Sequence, residues 1–317
     1  MATTTSITTT YAGEHKGQII SAALLSGNTL ANQAITVKPN IISKEVVRRL
    51  ETDSLIRGGS CDFTDTSTIT STERILQPKE LQVNLELCKK DWVNDWAGLQ
   101  LGFSAFRNVP ASIQDYIVQY AAEKVAGSIE TSIWGGVDGA NDFNGFTSLI
   151  AVDANLPAAQ EVTGTTVTAA NVIAELGKVV DAIPSRLYGN EGLHIYVAQN
   201  VYRAYKRALG GFQANGVGAA GYMAQGNNQD IPIQYFDGVK VFMANGLADN
   251  KMIATIKDNL WFGTGLMSDY NEVRILDMAD LDGSQNFRLI MRFLAGVQYG
   301  VVEDIVTYGI VNAANNP

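Results

Sequence analysis

The clearest chemical motif in the sequence is a run of glycines at dinucleotide-loop spacing. Gly216, Gly218 and Gly221 match the pattern G-x-G-x-x-G, and Asp237 follows 16 residues later. A dinucleotide-binding loop needs a strand before the glycines and a helix after them. Here a predicted helix and loop precede the motif, and a loop rich in Gly, Asn and Gln follows it. The pattern therefore favours a flexible loop, 210–230, and leaves a nucleotide-dependent oxidoreductase as the less favoured alternative.

Residues that could act as nucleophiles, bases or metal ligands are few and scattered. His15 lies in the N-terminal region without ligand-like neighbours, and His194 lies inside a β-type run where a structural role is favoured. Cys61 and Cys88 could face each other across the base of a hairpin, but a reducing cytoplasm favours free thiols.

The acidic and aromatic candidates also have simpler roles. Asp280/Asp282 and Glu303/Asp304 fall in turn-like or strand-end contexts, where solvation or capping is expected. The tryptophans are expected to anchor packing; they are Trp92, Trp96, Trp134 and Trp261. The sequence therefore predicts no enzyme, with no catalytic residue, no metal site and no cofactor.

Composition narrows the function classes. The chain has 317 residues, and 23 Lys and Arg against 32 Asp and Glu give a formal net charge of −9. This balance argues against a dedicated nucleic-acid binder, which needs a clustered basic surface. Only 17% of residues are charged; interface cores are depleted in charge, so this low fraction hints at assembly. The sequence lacks a signal peptide and a bilayer-spanning stretch, so a soluble intracellular protein is expected.

The N-terminal third predicts extended segments with little core of their own. Residues 1–40 are rich in Thr and Ala, which indicates an arm lying on another surface or a disordered tail. The run 44–50 predicts a short helix. Ser60–Thr72 and the alternating segment 81–87 predict two strands that pair as a long hairpin. Such a hairpin is marginal alone and needs a partner surface.

One long amphipathic helix is predicted from Val109 to Trp134. Asn108 is a suitable N-cap, Pro110 fits the first turn, and Gly135-Gly136 ends the helix. Apolar residues recur every four positions along one face; they are Ile113, Ile117, Ala121, Val125, Ile129 and Ile133. At 1.5 Å per residue the helix is roughly 39 Å long, enough to cross a subunit.

The second half of the chain predicts helices mixed with antiparallel strands. A helix is expected over 168–183, a strand over Leu193–Val197, and a further helix from Asn200. Asp237-Gly238 between two apolar runs predicts a hairpin turn. Further strands are expected at 252–256, 272–276, 287–293 and 297–302. The fold class is therefore α+β.

The order of these elements carries a family resemblance over nearly the whole chain. An arm, a strand-rich hairpin, a long helix, a compact central domain and returning C-terminal strands follow one another as in tailed-bacteriophage major capsid proteins of the Hong Kong 97 type. Several segments are similar to that family as well; they are Tyr196-Val-Ala-Gln-Asn-Val-Tyr-Arg-Ala-Tyr, Leu260-Trp-Phe-Gly-Thr-Gly-Leu, Asn271-Glu-Val-Arg-Ile-Leu-Asp, Asp282-Gly, Phe293-Leu-Ala-Gly-Val-Gln-Tyr-Gly and Glu303-Asp-Ile-Val-Thr-Tyr. The chain thus resembles a capsid subunit with a Hong Kong 97-like α+β fold.

The resemblance implies a division of the chain into four parts. Residues 1–53 would be the N-terminal arm and 54–90 the extended hairpin loop. Residues 91–167 and 268–317 would form the peripheral domain around the spine helix, 109–134. Residues 168–267 would form the axial domain, with the glycine loop near the symmetry axis.

The resemblance also implies a function and partners. The chain would self-assemble as hexamers and pentamers into an icosahedral shell enclosing double-stranded DNA, assembled in the host cytoplasm and kept in the virion capsid. Portal, scaffolding or decoration proteins and weak, non-specific DNA contact would be partners, whereas a membrane would not. Inter-subunit contacts are expected at Thr64, Ile69, Leu81, Val83, Leu85, Phe212 and Tyr222.

Two further possibilities belong to the same resemblance. An encapsulin-type nanocompartment shares the shell fold and would bind a cargo peptide, although the Thr-rich arm favours the virus. Some family members join subunits through Lys–Asn isopeptide bonds, for which the candidates here are Lys79, Lys89, Lys90, Asn312, Asn315 and Asn316.

Overall fold

The computed structural model describes most of the chain as a mixture of helices and sheets. The described residues are 28–52, 56, 58–59, 61, 68–88, 111–139, 141–209, 234–265, 273–279 and 283–315. The helices in these ranges are α1 (Asn28–Ala31), α2 (Ala111–Gly135), α3 (Phe146–Val152), α4 (Val172–Asp181) and α5 (Gln199–Ala208). Short 3-10 turns lie at Ala158–Gln160, Lys257–Asn259 and Val302–Asp304.

A five-stranded sheet is built around one long C-terminal strand. Its members are β1 (Thr36–Lys38), β4 (Lys79–Cys88), β10 (Leu260–Thr264), β11 (Val273–Asp277) and β12 (Asn286–Tyr299). Strand β12 pairs antiparallel with β4 along one edge, from Asn286↔Cys88 to Ala295↔Lys79. Strands β10 and β11 share its other edge, and β1 adds to β10 in parallel.

A six-stranded sheet occupies the central part of the chain. Its order is β5 (Glu161–Val162), β13 (Val306–Tyr308), β9 (Met252–Ile256), β6 (Leu193–Val197), β8 (Val239–Met243) and β7 (Gln234–Phe236). The β7–β8 turn places Asp237 at φ 49° and Gly238 at φ 79°. Two successive positive φ values define the type I′ turn that Asp-Gly favours, so the predicted hairpin is confirmed.

The third sheet is a separate two-stranded hairpin. Strand β2 (Glu45–Thr52) pairs antiparallel with β3 (Ile69–Leu76) from Glu45↔Leu76 to Thr52↔Ile69. The prediction of a helix over 44–50 is therefore wrong, because Val46 and Val47 are β-branched and find a full strand partner in β3. The predicted pairing of Ser60–Thr72 with the alternating segment is also wrong, since that segment, β4, pairs with β12.

The long helix predicted over 109–134 is confirmed as α2, which packs in two separate cores. It has 25 residues, or roughly 38 Å at 1.5 Å per residue. Near its start, Ile117 and Ala121 pack against Phe287, Leu289 and Met291 of β12 in a small second core. Further along the predicted stripe, Val125 is half-buried against the main core, and Ile129 and Ile133 are buried in it. The side chain of Ile113 lies outside the described residues.

The main core lies between α2, α4, α5 and the two larger sheets. Trp134, at the end of α2, is fully buried and has its ring centroid 5.5 Å from that of Phe146 and 5.1 Å from that of Tyr196. Part of the segment that the sequence places in the arm joins this core, since Ala34 and Ile35 are buried. The hydroxyl of Tyr196 donates a 2.6 Å hydrogen bond to the Ala34 carbonyl oxygen.

Three local predictions differ from the structure. The expected strands 287–293 and 297–302 are one continuous strand, β12, because pairing with β4 and β10 carries the ladder through Gly296. Helix α3 falls in a stretch predicted as loops and short strands. Helix α4 starts at Val172, which is buried, whereas Ile173, predicted to face inward, is half exposed.

Candidate functional site

The hairpin β2–β3 presents an apolar face to solvent. Side chains alternate between the faces of a strand, so Val46, Leu50, Ile69 and Ile75 share one face, with exposed fractions of 42%, 70%, 65% and 45%. Val46 lies directly opposite Ile75. An ion pair between Arg48 Nε and Glu73 Oε1, at 2.9 Å, lies on the same face. We call this set of residues the outer hairpin face.

The inner hairpin face lies towards the subunit. Leu76 is fully buried beside Gly263, where an added Cβ would lie 3.0 Å from the leucine side chain. Further along the same face, Arg74 Nη2 lies 2.5 Å from Asp153 Oδ2. Arg49 Nη1 lies 2.6 Å from Glu303 Oε2. The two faces therefore differ in kind, since one holds the hairpin to its own subunit and the other is left uncovered by it.

The carboxylate that receives Arg74 is prepared by its surroundings. Asp153 Oδ2 also accepts a 2.7 Å hydrogen bond from the Tyr299 hydroxyl, and its Oδ1 accepts the Asn155 backbone N–H. Burial raises the pKa of Asp153, but these hydrogen bonds and the Arg74 charge outweigh burial and leave the pKa below its ordinary value. Burial and the neighbouring Asp153 raise the pKa of the Tyr299 hydroxyl.

The residues predicted as inter-subunit contacts lie in three places. Ile69 is on the outer hairpin face, where it accompanies Val46, Leu50 and Ile75. Leu81, Val83 and Leu85 are half-buried on β4 and pack against the cores of their own subunit. Thr64, Phe212 and Tyr222 lie outside the described residues.

Three members of the outer hairpin face were not predicted. Val46, Leu50 and Ile75 lie in segments where alternation with polar residues would indicate strands, but the prediction for 44–50 is a helix.

An open groove of about 490 Å³ runs between α2 and β4. Leu81 and Val83 line this groove together with polar residues of both elements.

In the described part of the chain, the residues that the sequence offers for catalysis or metal binding do not come together in one site. Within those ranges no group of three or more His, Cys, Asp or Glu side chains could hold a metal ion. The glycine motif 216–221 lies outside them. Glu303 and Asp304 form ion pairs, with Arg49 and Arg186 respectively. None of the helices in the described ranges is long and apolar enough to cross a lipid bilayer.

His194 has a structural environment. It is buried on β6, and its Nδ1 lies 2.7 Å from the Gly192 carbonyl oxygen. Burial lowers the pKa of the imidazole, and the nearby charges of Lys240 and Lys257 lower it further. The ring is therefore held neutral, which suits a packed side chain.

The structure also gives the surroundings of several residues considered for disulfide or isopeptide bonds. Cys61 and Cys88 are both free thiols, the first exposed and the second half-buried. Lys79 Nζ contacts Asp138 Oδ1 at 2.8 Å as well as the carbonyl oxygens of Gly139 and Asp142. The candidate asparagines Asn312 and Asn315 make hydrogen bonds within the subunit, and Lys89, Lys90 and Asn316 lie outside the described residues.

Comparison with known proteins gives matches in structure alone. No protein-family model and no curated protein matches the chain. The capsid of a native GTA particle, computed with C5 symmetry, is similar with a TM-score of 0.64 and 15% identity, covering 94% of this chain and 95% of that one. The capsid of cyanophage P-SCSP1u has a TM-score of 0.57 and 12% identity over 96% and 93% of the two chains. A structure from Mycobacterium phage Adephagia has a TM-score of 0.56 and 13% identity over 96% and 91%.

These matches extend over nearly the full length of both chains in each pair. The chain has the α+β fold of phage capsid subunits, the Hong Kong 97-type fold that its sequence resembles.

Proposed function

We propose that this chain is a major capsid protein that assembles as hexamers and pentamers into an icosahedral shell around double-stranded DNA. The fold supports this function, because the similar structures are capsids and the similarity covers whole chains rather than one shared motif. Low charge content is consistent with a subunit that covers much of its surface with copies of itself.

The outer hairpin face is the observation that carries the proposal. A two-stranded hairpin is marginally stable alone, and this one leaves four large apolar side chains uncovered on one side. Their burial would contribute about 25 cal/mol per Å² of apolar surface. In a closed shell, a neighbouring copy of the chain would cover the outer hairpin face of every subunit. Many repeated contacts of this kind would make the shell stable although each contact is weak.

The rest of the assignment follows from the same role. Within the arm, 1–53, and the hairpin loop, 54–90, the parts that do not pack on their own subunit would reach neighbouring subunits, whereas residues 28–41 and β4 belong to the subunit itself. The peripheral domain, 91–167 with 268–317, would form the body of the shell, and the axial domain, 168–267, would meet its copies at the symmetry axes. Thr64, Phe212 and Tyr222, the predicted contacts outside the described residues, would belong to these surfaces. Portal, scaffolding or decoration proteins and weak DNA contact are partners that such a shell would use in the host cytoplasm and the virion.

The capsid assignment is favoured over the other readings of the sequence. The similar structures come from phage and GTA particles, which favours a capsid over a cellular nanocompartment. An oxidoreductase built on residues 216–221 has no support from these matches.

The test is electron microscopy of the purified full-length chain with matched variants of the outer hairpin face. We expect closed shells from the wild type and from the variant Leu50→Val with Ile69→Val. The variant Leu50→Thr with Ile69→Thr should lose closed shells, because Thr has nearly the shape of Val and its strand propensity but adds a hydroxyl to the contact. If the Val and Thr double variants form shells equally well, the outer hairpin face does not contribute to assembly. If the wild type is a monodisperse monomer, the proposed function is wrong.

A further inference from the structure

The hairpin β2–β3 is a self-contained unit. Its ladder runs from Glu45↔Leu76 to Thr52↔Ile69 and belongs to neither of the larger sheets in the described residues. The Arg48–Glu73 ion pair joins its two strands on the outer side. Bonds that hold the hairpin together are therefore separate from bonds that hold it to the subunit, so it can change position without losing its own structure.

The base of the hairpin is fixed by packing. Leu76 is fully buried, and Gln298 Nε2 donates a 3.1 Å hydrogen bond to the Ile75 carbonyl oxygen. At the facing end of β2, Lys38 Nζ lies 2.7 Å from Glu45 Oε1. A buried leucine in a packed site is costly to withdraw, and this end therefore acts as the pivot.

Two arginines hold the inner face above this pivot. Arg74 reaches Asp153 at 2.5 Å, and its guanidinium lies 5.0 Å from the centroid of the Tyr299 ring. Two residues nearer the tip along the opposite strand, Arg49 reaches Glu303 at 2.6 Å. Beyond Arg49, Thr70 on the inner face and Leu50 on the outer face are both exposed.

Both receiving carboxylates are on firmly held backbone. The Asp153 carbonyl oxygen accepts a 2.9 Å hydrogen bond from Asn312 Nδ2. The Glu303 carbonyl oxygen accepts hydrogen bonds from Gln160 Nε2 and Arg186 Nη2, at 2.7 and 2.8 Å. The arginines therefore connect a movable unit to two rigid points.

We propose that Arg49 and Arg74 form a two-point latch that sets the angle at which the hairpin leaves the subunit, and that opening the latch lets the hairpin pivot about Leu76 as an intact unit. The latch belongs to the single chain and does not depend on the proposed shell. In a shell it would decide where the outer hairpin face is presented.

The two points of the latch should differ in their response to salt. The Asp153 side chain is only 6% exposed, whereas the Glu303 side chain is 32% exposed. Exposed ion pairs are screened by salt more strongly than buried ones. Raising the salt concentration should therefore open the Arg49 point first and leave the Arg74 point closed.

The two native cysteines allow a direct test. Cys61 lies between β2 and β3 in the sequence, Cys88 ends β4, and the chain has no other cysteine. Nitroxide labels on both thiols, in full-length protein diluted with unlabelled chain, report the intrachain distance by pulsed electron resonance. We expect one narrow distance distribution for the wild type and a broad one for Arg49→Ala with Arg74→Ala. Hydrogen exchange should show β2 and β3 still protected in the double variant.

Matched variants separate the latch from a general loss of charge. Arg48→Ala with Glu73→Ala removes an ion pair from the outer side and should leave the distribution narrow. Arg49→Glu should broaden the distribution, and Glu303→Arg added to it should restore the narrow one. An unchanged distribution in the Arg49/Arg74 variant would overturn the latch, and so would loss of exchange protection in β2 and β3, because the arginines would then maintain the hairpin rather than position it. Shell formation enters none of these measurements, so the latch and the proposed function fail separately.

Discussion

Replacing Thr29 by Val should destabilise the subunit by more than its size suggests. The Thr29 hydroxyl donates a 2.5 Å hydrogen bond to Glu130 Oε1 and accepts a 2.8 Å hydrogen bond from Trp134 Nε1. All three residues are buried. Val has nearly the same shape but removes the hydroxyl acceptor of the buried indole N–H, at about 1–3 kcal/mol, and the hydroxyl hydrogen bond to the Glu130 carboxylate, at about 1.5–3 kcal/mol. Added together, these contributions give an expected loss of unfolding free energy of about 2.5–6 kcal/mol.

The loss should depend on pH through Glu130. Burial raises the pKa of this carboxyl above 4.5, and hydrogen bonds from Thr29 and the Gly246 backbone N–H oppose the rise. The folded chain therefore holds this proton more tightly than the unfolded chain, and the associated stability is lost as pH rises from 4.5 through the folded pKa. Thr29→Val removes a donor to the ionised form, so its penalty should be largest at neutral pH and smaller in acid.

Urea unfolding of Thr29→Val beside Thr29→Ser provides the measurement. Ser keeps the hydroxyl and loses one methyl group, for which we expect about 1 kcal/mol. If the two substitutions destabilise the chain equally, or if the Val penalty does not change with pH, the hydroxyl does not join Glu130 to Trp134 in the way described.

Two further predictions concern the pH response and backbone packing. His194 is neutral in the fold because burial, Lys240 and Lys257 lower its pKa, so the stability linked to it is present above about pH 6.5 and falls as the solution is acidified. His194→Leu should flatten that fall in urea midpoints measured from pH 7 downwards, and an equally steep fall would contradict it. Gly246→Ala places a Cβ 1.9 Å from a backbone carbonyl oxygen of α2 and should cost more than about 3 kcal/mol. Gly177→Ala in α4, where the Cβ meets no atom within 4 Å, should instead stabilise the chain by about 0.5–1 kcal/mol in the same assay.

Where the signal was local, sequence and structure agree closely. The stripe along α2 repeats every four residues over many turns, so neighbours in sequence fix its helical state. Strands β6 and β9 have the bounds that their apolar runs predict, Leu193–Val197 and Met252–Ile256. The Asp237-Gly238 turn needs two positive φ values, which these residue types adopt readily.

Where an element's structure or pairing depends on a partner far away in the chain, the predictions from the sequence are wrong. The run 44–50 has a mixture of charged and β-branched residues that suits a helix or a strand, and the register with β3 decides for the strand. Alternation in β4 predicted a strand correctly, but its partner is β12, which lies some 200 residues further along the chain. The same cause explains why the sequence predicts only Ile69 of the four apolar residues on the outer hairpin face: they come from two strands whose pairing the sequence does not predict.

The sequence by itself determined the class of the fold, the long helix, most of the strands and the resemblance to capsid subunits. These follow from periodicity, turn residues and the order of elements, which are properties of short stretches read in succession. Only the tertiary structure decided which strands pair, that residues 28–41 join the subunit's own packing, and that Arg49 and Arg74 meet Glu303 and Asp153. Contacts between residues far apart in the chain depend on which whole elements pack against each other. A local pattern of residues does not specify that choice of partner.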